Sequence, residues 1–486
     1  MAANMDSLIR LRGHDYRYAA HQALISYLPD FGEEGDALLS SLEEGRAEAR
    51  LTLGGKEYTG EAVPDGPLPE EELLRKRAEQ RLIRLSVFRA AVSALGRTPP
   101  WGSFTGVRPG KLAARHLEET GRDLEETVSW LRAEYSLTPV RARICAQAGL
   151  EGLEVRDELG EKDAILYVGI PFCPSRCAYC SFVSHSVEKS LKLVEPYVEA
   201  LGGEMESAGR LAREAGLRVR AVYWGGGTPT TLSAEDLRRL MGTLRESFDL
   251  SACLEYTVEA GRPDTVTREK LLALREGGAG RISINPQTMD DRVLAAIGRR
   301  HTVREIYEAY ALARKTGDFE INMDLIAGLP TDSASGFRRS LREVIALGPE
   351  NITVHTLTRK RGADLREMPL QSLSGEEVGE MMDFALSALP GAKWAPYYLY
   401  RQKYAVGGYG NVGWAKEGKK CLYNIAMMEE LCPVLSLGAG GATKIPLPGG
   451  KILRCFNKKY PYEYIGSLRE AEKEKRDLFR EAKAVE

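Results

Sequence analysis

The sequence predicts an α/β protein: a partial, open (β/α)6 barrel preceded by an α+β and helical region and followed by a C-terminal extension. Three observations point there. From residue 164 to 356, six short β-branched runs alternate with amphipathic stretches, which implies a parallel sheet with right-handed crossovers. Six such units are too few for a closed eight-stranded barrel. Upstream, strand and helix patterns mix as far as about residue 63, and helical periodicity takes over from Glu70. Finally, 486 residues of which 43% are hydrophobic suffice for one large core and at least one smaller domain. The expected boundaries are 1–63 for a small α+β unit, 70–160 for a helical connection, 161–390 for the barrel and 391–486 for the extension.

Taken in order, Leu8 to Leu11 reads as a strand, Tyr18 to Tyr27 as a helix, and Ala49 to Leu53 and Glu57 to Glu61 as two further strands. Pro64, Gly66, Pro67 and Pro69 make a linker. Leu74, Ala78, Leu82, Leu85, Phe88, Val92 and Leu95 then recur at three- and four-residue steps as one apolar helical face, which Pro99-Pro100 is expected to end. Asp123 with Glu126, and Thr138 before Pro139, open two more helices. The barrel strands fall at 164–170, 221–224, 254–259, 281–284, 321–326 and 352–356. Helices lie between them, roughly at 190–216, 234–248, 268–275, 303–315 and 336–347. Ser233, Thr267 and Thr302 are the expected N-caps, with Glu305 completing a capping box at Thr302.

Net charge is −2 and acidic residues interleave with basic ones, so no global basic field draws the chain to nucleic acid or anionic lipid. The first ten residues carry Asp6 and lack an apolar core of signal-peptide length. No stretch approaches the roughly 18 uninterrupted apolar residues of a membrane span. The expectation is a cytoplasmic protein with no membrane span and no nucleic-acid partner. Eight cysteines in a chain this long do not make a disulfide scaffold. Cys173, Cys177 and Cys180 cluster within eight residues, whereas Cys145, Cys253, Cys421, Cys432 and Cys455 are scattered.

In folds of this class ligands gather at the carboxyl ends of the strands. The first strand runs directly into Cys173, and the spacing to Cys177 and Cys180 lets one loop wrap three thiolates around a single inorganic centre. Three thiolates leave one iron of a four-iron cubane without a protein thiolate. The competing reading is a structural zinc held by Cys173, Cys177, Cys180 and His185. The second strand ends in Gly225, Gly226, Gly227 and Thr228, where backbone can approach a ligand closely or simply turn ahead of the next helix. Glu259 closes the third strand, either to hold a ribose or an ammonium or as a solvated end. Gln287 and Arg299 follow the fourth, and the Arg299 fork suits a carboxylate. Asp324 lies inside the apolar fifth strand and needs a partner or a job.

The string Tyr167-Val-Gly-Ile-Pro-Phe-Cys173, continued by Cys177-Ala-Tyr-Cys180-Ser-Phe182, resembles the radical S-adenosylmethionine motif. Together with Gly225 to Pro229, Arg281-Ile-Ser-Ile-Asn-Pro-Gln287, Arg299 and Asp324 to Pro330, it resembles the oxygen-independent coproporphyrinogen III dehydrogenase family. Phe104 to Lys111, Thr353-Val-His355 and Pro396 to Lys403 are similar to its HemZ-type branch, and the resemblance spans about residues 100 to 460. It implies a radical-SAM barrel whose Cys173, Cys177 and Cys180 bind three irons of a [4Fe–4S] cluster, the fourth iron taking the amino and carboxylate groups of S-adenosylmethionine. It further implies that Gly225, Gly226 and Gly227 line the methionine amino end, that Glu259, Gln287, Arg299 and Asp324 hold the ribose and carboxylate, and that Tyr179 packs beside the adenine. The resemblance also implies that Tyr167 and Thr228 belong to the same cofactor site. Several family members have His at the position of Gly169 and a further Cys at that of Phe182, and haem-binding chaperones of neighbouring branches have His-Asn where this chain has Tyr423-Asn424.

The activity implied is oxidative decarboxylation of coproporphyrinogen III to protoporphyrinogen IX, with a tetrapyrrole substrate and a low-potential electron donor of the flavodoxin or ferredoxin type as partners. Arg359, Lys360 and Arg361 follow the sixth strand, and Arg401 and Lys403 lie in an aromatic-rich stretch on the expected substrate side. These cations either receive propionates or form a solvated loop. Tyr397, Tyr398, Tyr400, Tyr404, Tyr409 and Trp414 either stack on a macrocycle or pack in a core. Two other functions stand beside the first: a haem-binding or haem-delivery protein that retains a cluster, and a radical enzyme acting on another tetrapyrrole.

Overall fold

The computed structural model describes residues 5–28, 31–64, 66–180, 185–358 and 373–485. They form two compact units. The first comprises Met1–Gly149, Ser374–Gly379 and Tyr400–Asn411; the second comprises Leu150–Leu373, Glu380–Leu399 and Val412–Glu486.

The first unit starts with β1 (Ile9–Arg12), α1 (Arg17–Tyr27), β2 (Ala37–Glu43), β3 (Arg46–Leu53), β4 (Lys56–Ala62) and α2 (Glu72–Leu95). β1 pairs parallel with β2, and α1 makes the crossover between them; β2, β3 and β4 continue as an antiparallel meander. Leu24 of α1, Leu38 and Leu51 of the sheet, and Ile83 and Val87 of α2 share one core. α2 crosses β4 at Gly60, where a Cβ would stand 2.2 Å from the Ser86 carbonyl oxygen and 2.3 Å from the Ala90 nitrogen, so only glycine allows this approach. α2 ends earlier than its prolines imply. Gly96 takes φ 64°, its N–H caps the Val92 carbonyl, and the left-handed glycine rather than Pro99-Pro100 stops the helix. α3 (Pro109–Glu119), α4 (Leu124–Tyr135) and α5 (Pro139–Glu158) follow. The Asp123 carboxylate accepts the Glu126 N–H at 2.9 Å, as the capping pattern predicts.

The second unit contains β5 (Asp163–Ile170), β6 (Phe172–Cys173), β7 (His185–Ser186), α6 (Val187–Glu214), β8 (Arg218–Gly226), α7 (Ala234–Ser247), β9 (Glu255–Glu259), α8 (Arg268–Glu276) and β10 (Arg281–Ser283). It goes on with α9 (Asp291–Ala296), α10 (Val303–Thr316), β11 (Glu320–Ala327), α11 (Ala334–Leu347), β12 (Asn351–Thr356), α12 (Gly375–Gly391), β13 (Ala395–Arg401), β14 (Gly410–Ala415) and α13 (Leu422–Glu429). β15 (Val434–Leu437), β16 (Ala442–Pro446), β17 (Ile452–Phe456), α14 (Pro461–Ile465) and α15 (Leu468–Val485) complete it; the unit boundaries cut α5, α12, β13 and β14.

β5, β8, β9, β10, β11 and β12 lie side by side in chain order, every pair parallel. This is the six-stranded α/β arrangement that the alternation predicts. Ser233, Thr267 and Thr302 cap α7, α8 and α10, and Thr302 with Glu305 closes a full capping box. Among the described residues the sheet nevertheless has eleven strands, because the C-terminal extension covers both edges. β15 adds a seventh parallel strand beside β5, with β16 and β17 antiparallel beyond it. β14 pairs antiparallel with β12 on the other side. An open barrel exposes unpaired backbone at both edge strands, and these additions satisfy it. Among the described residues no helix is long and apolar enough to cross a membrane.

Candidate active site

The carboxyl ends of β5 and β8 are laced together. Gly227 N–H donates to the Ile170 carbonyl and Thr228 N–H to the Phe172 carbonyl, each at 2.7 Å. A Cβ on Gly227 would stand 2.5 Å from the Phe172 oxygen and 2.8 Å from that of Ile170, and Gly226 takes φ 101°, so both positions require glycine. The lacing sets the Cys173 sulfur 3.4 Å from the Thr228 hydroxyl. Cys177 is buried, and Cys180 N–H donates to its carbonyl at 3.0 Å. Among the described residues no three His, Cys, Asp or Glu side chains form a single-ion site. The thiolates of a cubane bind separate irons and stand wider apart than the ligands of one ion. The His185 side chain, needed for the zinc reading, and Phe182 lie outside the described residues.

Below the glycines, three tyrosines line the strands. Tyr223 stacks on Tyr423 with centroids 4.2 Å apart and on Tyr167 at 6.5 Å. A Cβ on Gly225 would come within 3.0 Å of the Tyr223 ring. Tyr423 is placed by α13, whose first N–H groups, those of Leu422 and Tyr423, donate at 2.8 and 3.2 Å to the Glu255 carboxylate at the start of β9. Tyr223 donates its hydroxyl to Glu259 at 2.5 Å. Burial raises the Glu259 pKa to about 7; the neighbouring Asp324 charge adds to that, and the Tyr223 bond opposes it.

Gln287, Arg299 and Asp324 converge through the strand ends. Gln287 has φ 66°, a sparsely populated conformation for a non-glycine residue, fixed by its N–H to the Asp324 carbonyl at 2.8 Å and by the Ile326 N–H to its own carbonyl at 3.0 Å. Its Oε1 is buried without a hydrogen-bond partner among the described residues. The Arg299 guanidinium donates to the Asn285 carbonyl at 2.5 Å and to the Tyr179 hydroxyl at 3.1 Å, and its Nε is likewise buried without a partner among them. Burial works against ionisation of Asp324, but bonds from His355, Asn322 and Thr353 outweigh it and hold the carboxyl below its ordinary range. The Asn322 amide lies 2.8 Å and His355 Nε2 3.6 Å from the Asp324 oxygens.

Three residues here escape the sequence reading. Arg262, 2% exposed, donates to the Ser175 carbonyl and hydroxyl at 3.1 Å each and approaches the Cys177 sulfur at 3.7 Å. Asn285 joins Arg299 to Asp324, whose N–H donates to the Asn285 side-chain oxygen at 3.2 Å. Tyr223 supports Glu259. Period-two alternation, with Tyr223 and Gly225 on one face of β8, is the signal that was available for it.

Arg359, Lys360 and Arg361 fall outside the described residues. Arg401 belongs to the first unit, where it is buried, donates to the Phe104 carbonyl at 2.6 Å and packs over the Trp101 and Phe104 rings. Lys403, in the same unit, sits 5.3 Å over the exposed Tyr18 ring. In the second unit Tyr397, Tyr398 and Trp414 are buried as core residues.

The donor set suits an inorganic cluster with a zwitterionic nucleoside. Cys177 stands beside the buried guanidinium of Arg262, the backbone at Gly226 and Gly227 leaves no room for a Cβ, and Gln287 Oε1 and Arg299 Nε are buried without partners among the described residues. Comparison with known proteins agrees. The model of the radical SAM superfamily matches residues 167–344. The oxygen-independent coproporphyrinogen-III oxidase-like protein HemZ of Bacillus subtilis (strain 168) is 37% identical over 448 residues, covering 89% of this chain and 88% of that protein. The heme chaperone HemW of Escherichia coli (strain K12) is 28% identical, covering 63% of this chain and 78% of its own. In fold, the chain is similar to the solved structure of coproporphyrinogen III oxidase (HemN) from Escherichia coli, with TM-score 0.53 and 23% identity, over 66% of this chain and 72% of that one.

Proposed function

The chain belongs to the radical SAM family of oxygen-independent coproporphyrinogen-III oxidase-like proteins of HemZ type, and from that premise we propose that it oxidatively decarboxylates coproporphyrinogen III to protoporphyrinogen IX. The supporting observation is the arrangement at the strand ends: the segment carrying Cys173 is laced to the glycine cradle, Glu259 lies beside Gly225, and Gln287, Arg299 and Asp324 are joined through the neighbouring strands. When bound, a [4Fe–4S] cluster and S-adenosylmethionine supply one-electron cleavage of the sulfonium and a 5′-deoxyadenosyl radical.

The residues then divide the work. Cys173, Cys177 and Cys180 take three irons. The bare backbone of Gly225 to Gly227 admits the amino acid end of the nucleoside. Arg299, whose Nε is buried without a partner among the described residues, takes its carboxylate. Asp324, held ionised by His355 and Asn322, accepts from ribose hydroxyls, and Gln287 adds the acceptor it now leaves unpaired. The Tyr223–Tyr423 stack, through the Tyr223 hydroxyl, fixes Glu259. Each propionate that becomes a vinyl group loses a hydrogen atom, a further electron and CO₂. The first electron comes from a low-potential flavodoxin- or ferredoxin-type donor, and the electron lost with CO₂ passes to an external acceptor.

Similarity to HemW, named a heme chaperone, supports a second reading in which the same chain binds haem without oxidising coproporphyrinogen. Anaerobic turnover with coproporphyrinogen, run beside a haem titration, separates the two. Turnover with release of CO₂ supports the first, and tight haem binding without turnover supports the second.

A further inference from the structure

Arg262 has no part in the roles just assigned, yet it is buried to 2% exposure within reach of a cluster cysteine. Burying a guanidinium is costly unless its donors are used. One edge, Nε and Nη2, bonds both oxygens of Asp264 at 3.2 Å. The other clasps the loop between the first two cysteines: Nη1 to the Ser175 carbonyl and Nη2 to the Ser175 hydroxyl, both 3.1 Å, while that hydroxyl donates onward to the Gly298 carbonyl at 3.0 Å. The remaining direction of Nη1 is the Cys177 sulfur, at 3.7 Å. A neutral thiol is a weak acceptor, whereas a thiolate forms a charge-assisted bond. A brace for the loop would need only the Ser175 contacts. The charge aimed at Cys177 suits an anionic sulfur.

We infer that Arg262 is a positioning residue that sets the redox behaviour of the cluster. Its charge beside Cys177 raises the reduction potential, and Asp264 behind it moderates that charge. The inference rests on the cluster reading above. Reduction adds negative charge to the cluster, so a fixed cation hydrogen-bonded to a ligating sulfur favours the reduced state, as outer-shell partners do generally. Removing the cation and removing its counter-charge therefore act with opposite sign, which a purely structural role does not produce.

The test is an EPR-monitored redox titration of the anaerobically reconstituted full chain without S-adenosylmethionine or substrate, with iron and sulfide content and thermal unfolding measured alongside. R262Q should shift the one-electron equilibrium toward the oxidised cluster about tenfold, equivalent to about 59 mV. D264N should shift it the other way, and R262K, which keeps the charge, should stay near wild type. Shifts of R262Q and D264N in the same direction, or no shift in either, overturn the inference. If R262Q cannot hold a cluster, R262K decides: a cluster at the wild-type potential supports the role of charge. A shifted potential in R262K, or no cluster in R262K although the chain unfolds as wild type does, leaves a loop brace and overturns it. A wild-type chain that takes up no iron would instead refute the cluster reading itself.

Discussion

Glu259 ends β9 with the Tyr223 hydroxyl on one oxygen, and burial lifts its pKa to about 7 from an ordinary 4.5. Because the folded value lies above the unfolded one, the proton-linked stability is fully present below about pH 4.5 and is lost as pH rises through about 7. The ionised form is the better acceptor for ribose hydroxyls, so S-adenosylmethionine affinity should rise between pH 6 and pH 8, and E259Q should flatten that rise. Equilibrium binding at the two pH values checks it, and an equal slope in E259Q removes Glu259 from the site. At Arg299 and Asp324 the expected effect is on binding alone. R299A and D324A should each weaken S-adenosylmethionine binding by about 2–5 kcal/mol while iron content stays at the wild-type level. Normal binding in both would show that neither residue contacts the nucleoside. Cys173, Cys177, Cys180, Glu259, Gln287, Arg299 and Asp324 were legible because each is a conspicuous residue type within a strand of the parallel sheet or in the segment that follows one. Arg262 and Asn285 were not, because their importance lies in long-range partners: Ser175 stands 87 residues from Arg262, and Asp324 39 residues from Asn285.

At the scale of elements, the β5 and β8 ends work as one unit through the Gly227 and Thr228 bonds. G227A would drive a Cβ into the Ile170 and Phe172 carbonyls, and should destabilise the fold by about 1–3 kcal/mol while weakening cofactor binding more than tenfold. Thermal unfolding with iron analysis measures both, and a G227A protein that loads and binds like wild type contradicts the lacing. The barrel strands and helix caps were readable because buried parallel strands are short, apolar, β-branched runs and the caps are Ser or Thr one residue ahead of an apolar period. β2 was not: its Ala-Leu-Leu-Ser-Ser-Leu-Glu lacks any β-branched residue and is held by its neighbours on both sides. β15, β16 and β17 were missed for a related reason. Each has only four or five residues, and the open edge beside β5 gives them a place.

For the whole molecule, the extension that follows the sixth barrel strand returns to both edges of the sheet and carries Tyr423 beneath the glycine cradle. Such pairing joins segments far apart in sequence and is invisible to local periodicity. The charge of the proposed substrate belongs to this scale too. Coproporphyrinogen carries four carboxylates, and Arg401 already spends donors on the carbonyls of its own unit. We therefore propose Arg359 and Arg361 as the anchors. The double variant R359Q/R361Q should lower coproporphyrinogen conversion at least tenfold and leave uncoupled S-adenosylmethionine cleavage nearly unchanged; unaltered conversion removes the anchor role. The most direct test of the proposed function is a single-turnover reaction of the reconstituted, reduced protein with S-adenosylmethionine, coproporphyrinogen III and an external electron acceptor under anaerobic conditions, quantifying 5′-deoxyadenosine and CO₂ together. Matched release of the two, abolished by C177A, is the predicted result; 5′-deoxyadenosine without CO₂, in a protein that binds haem tightly, would contradict it.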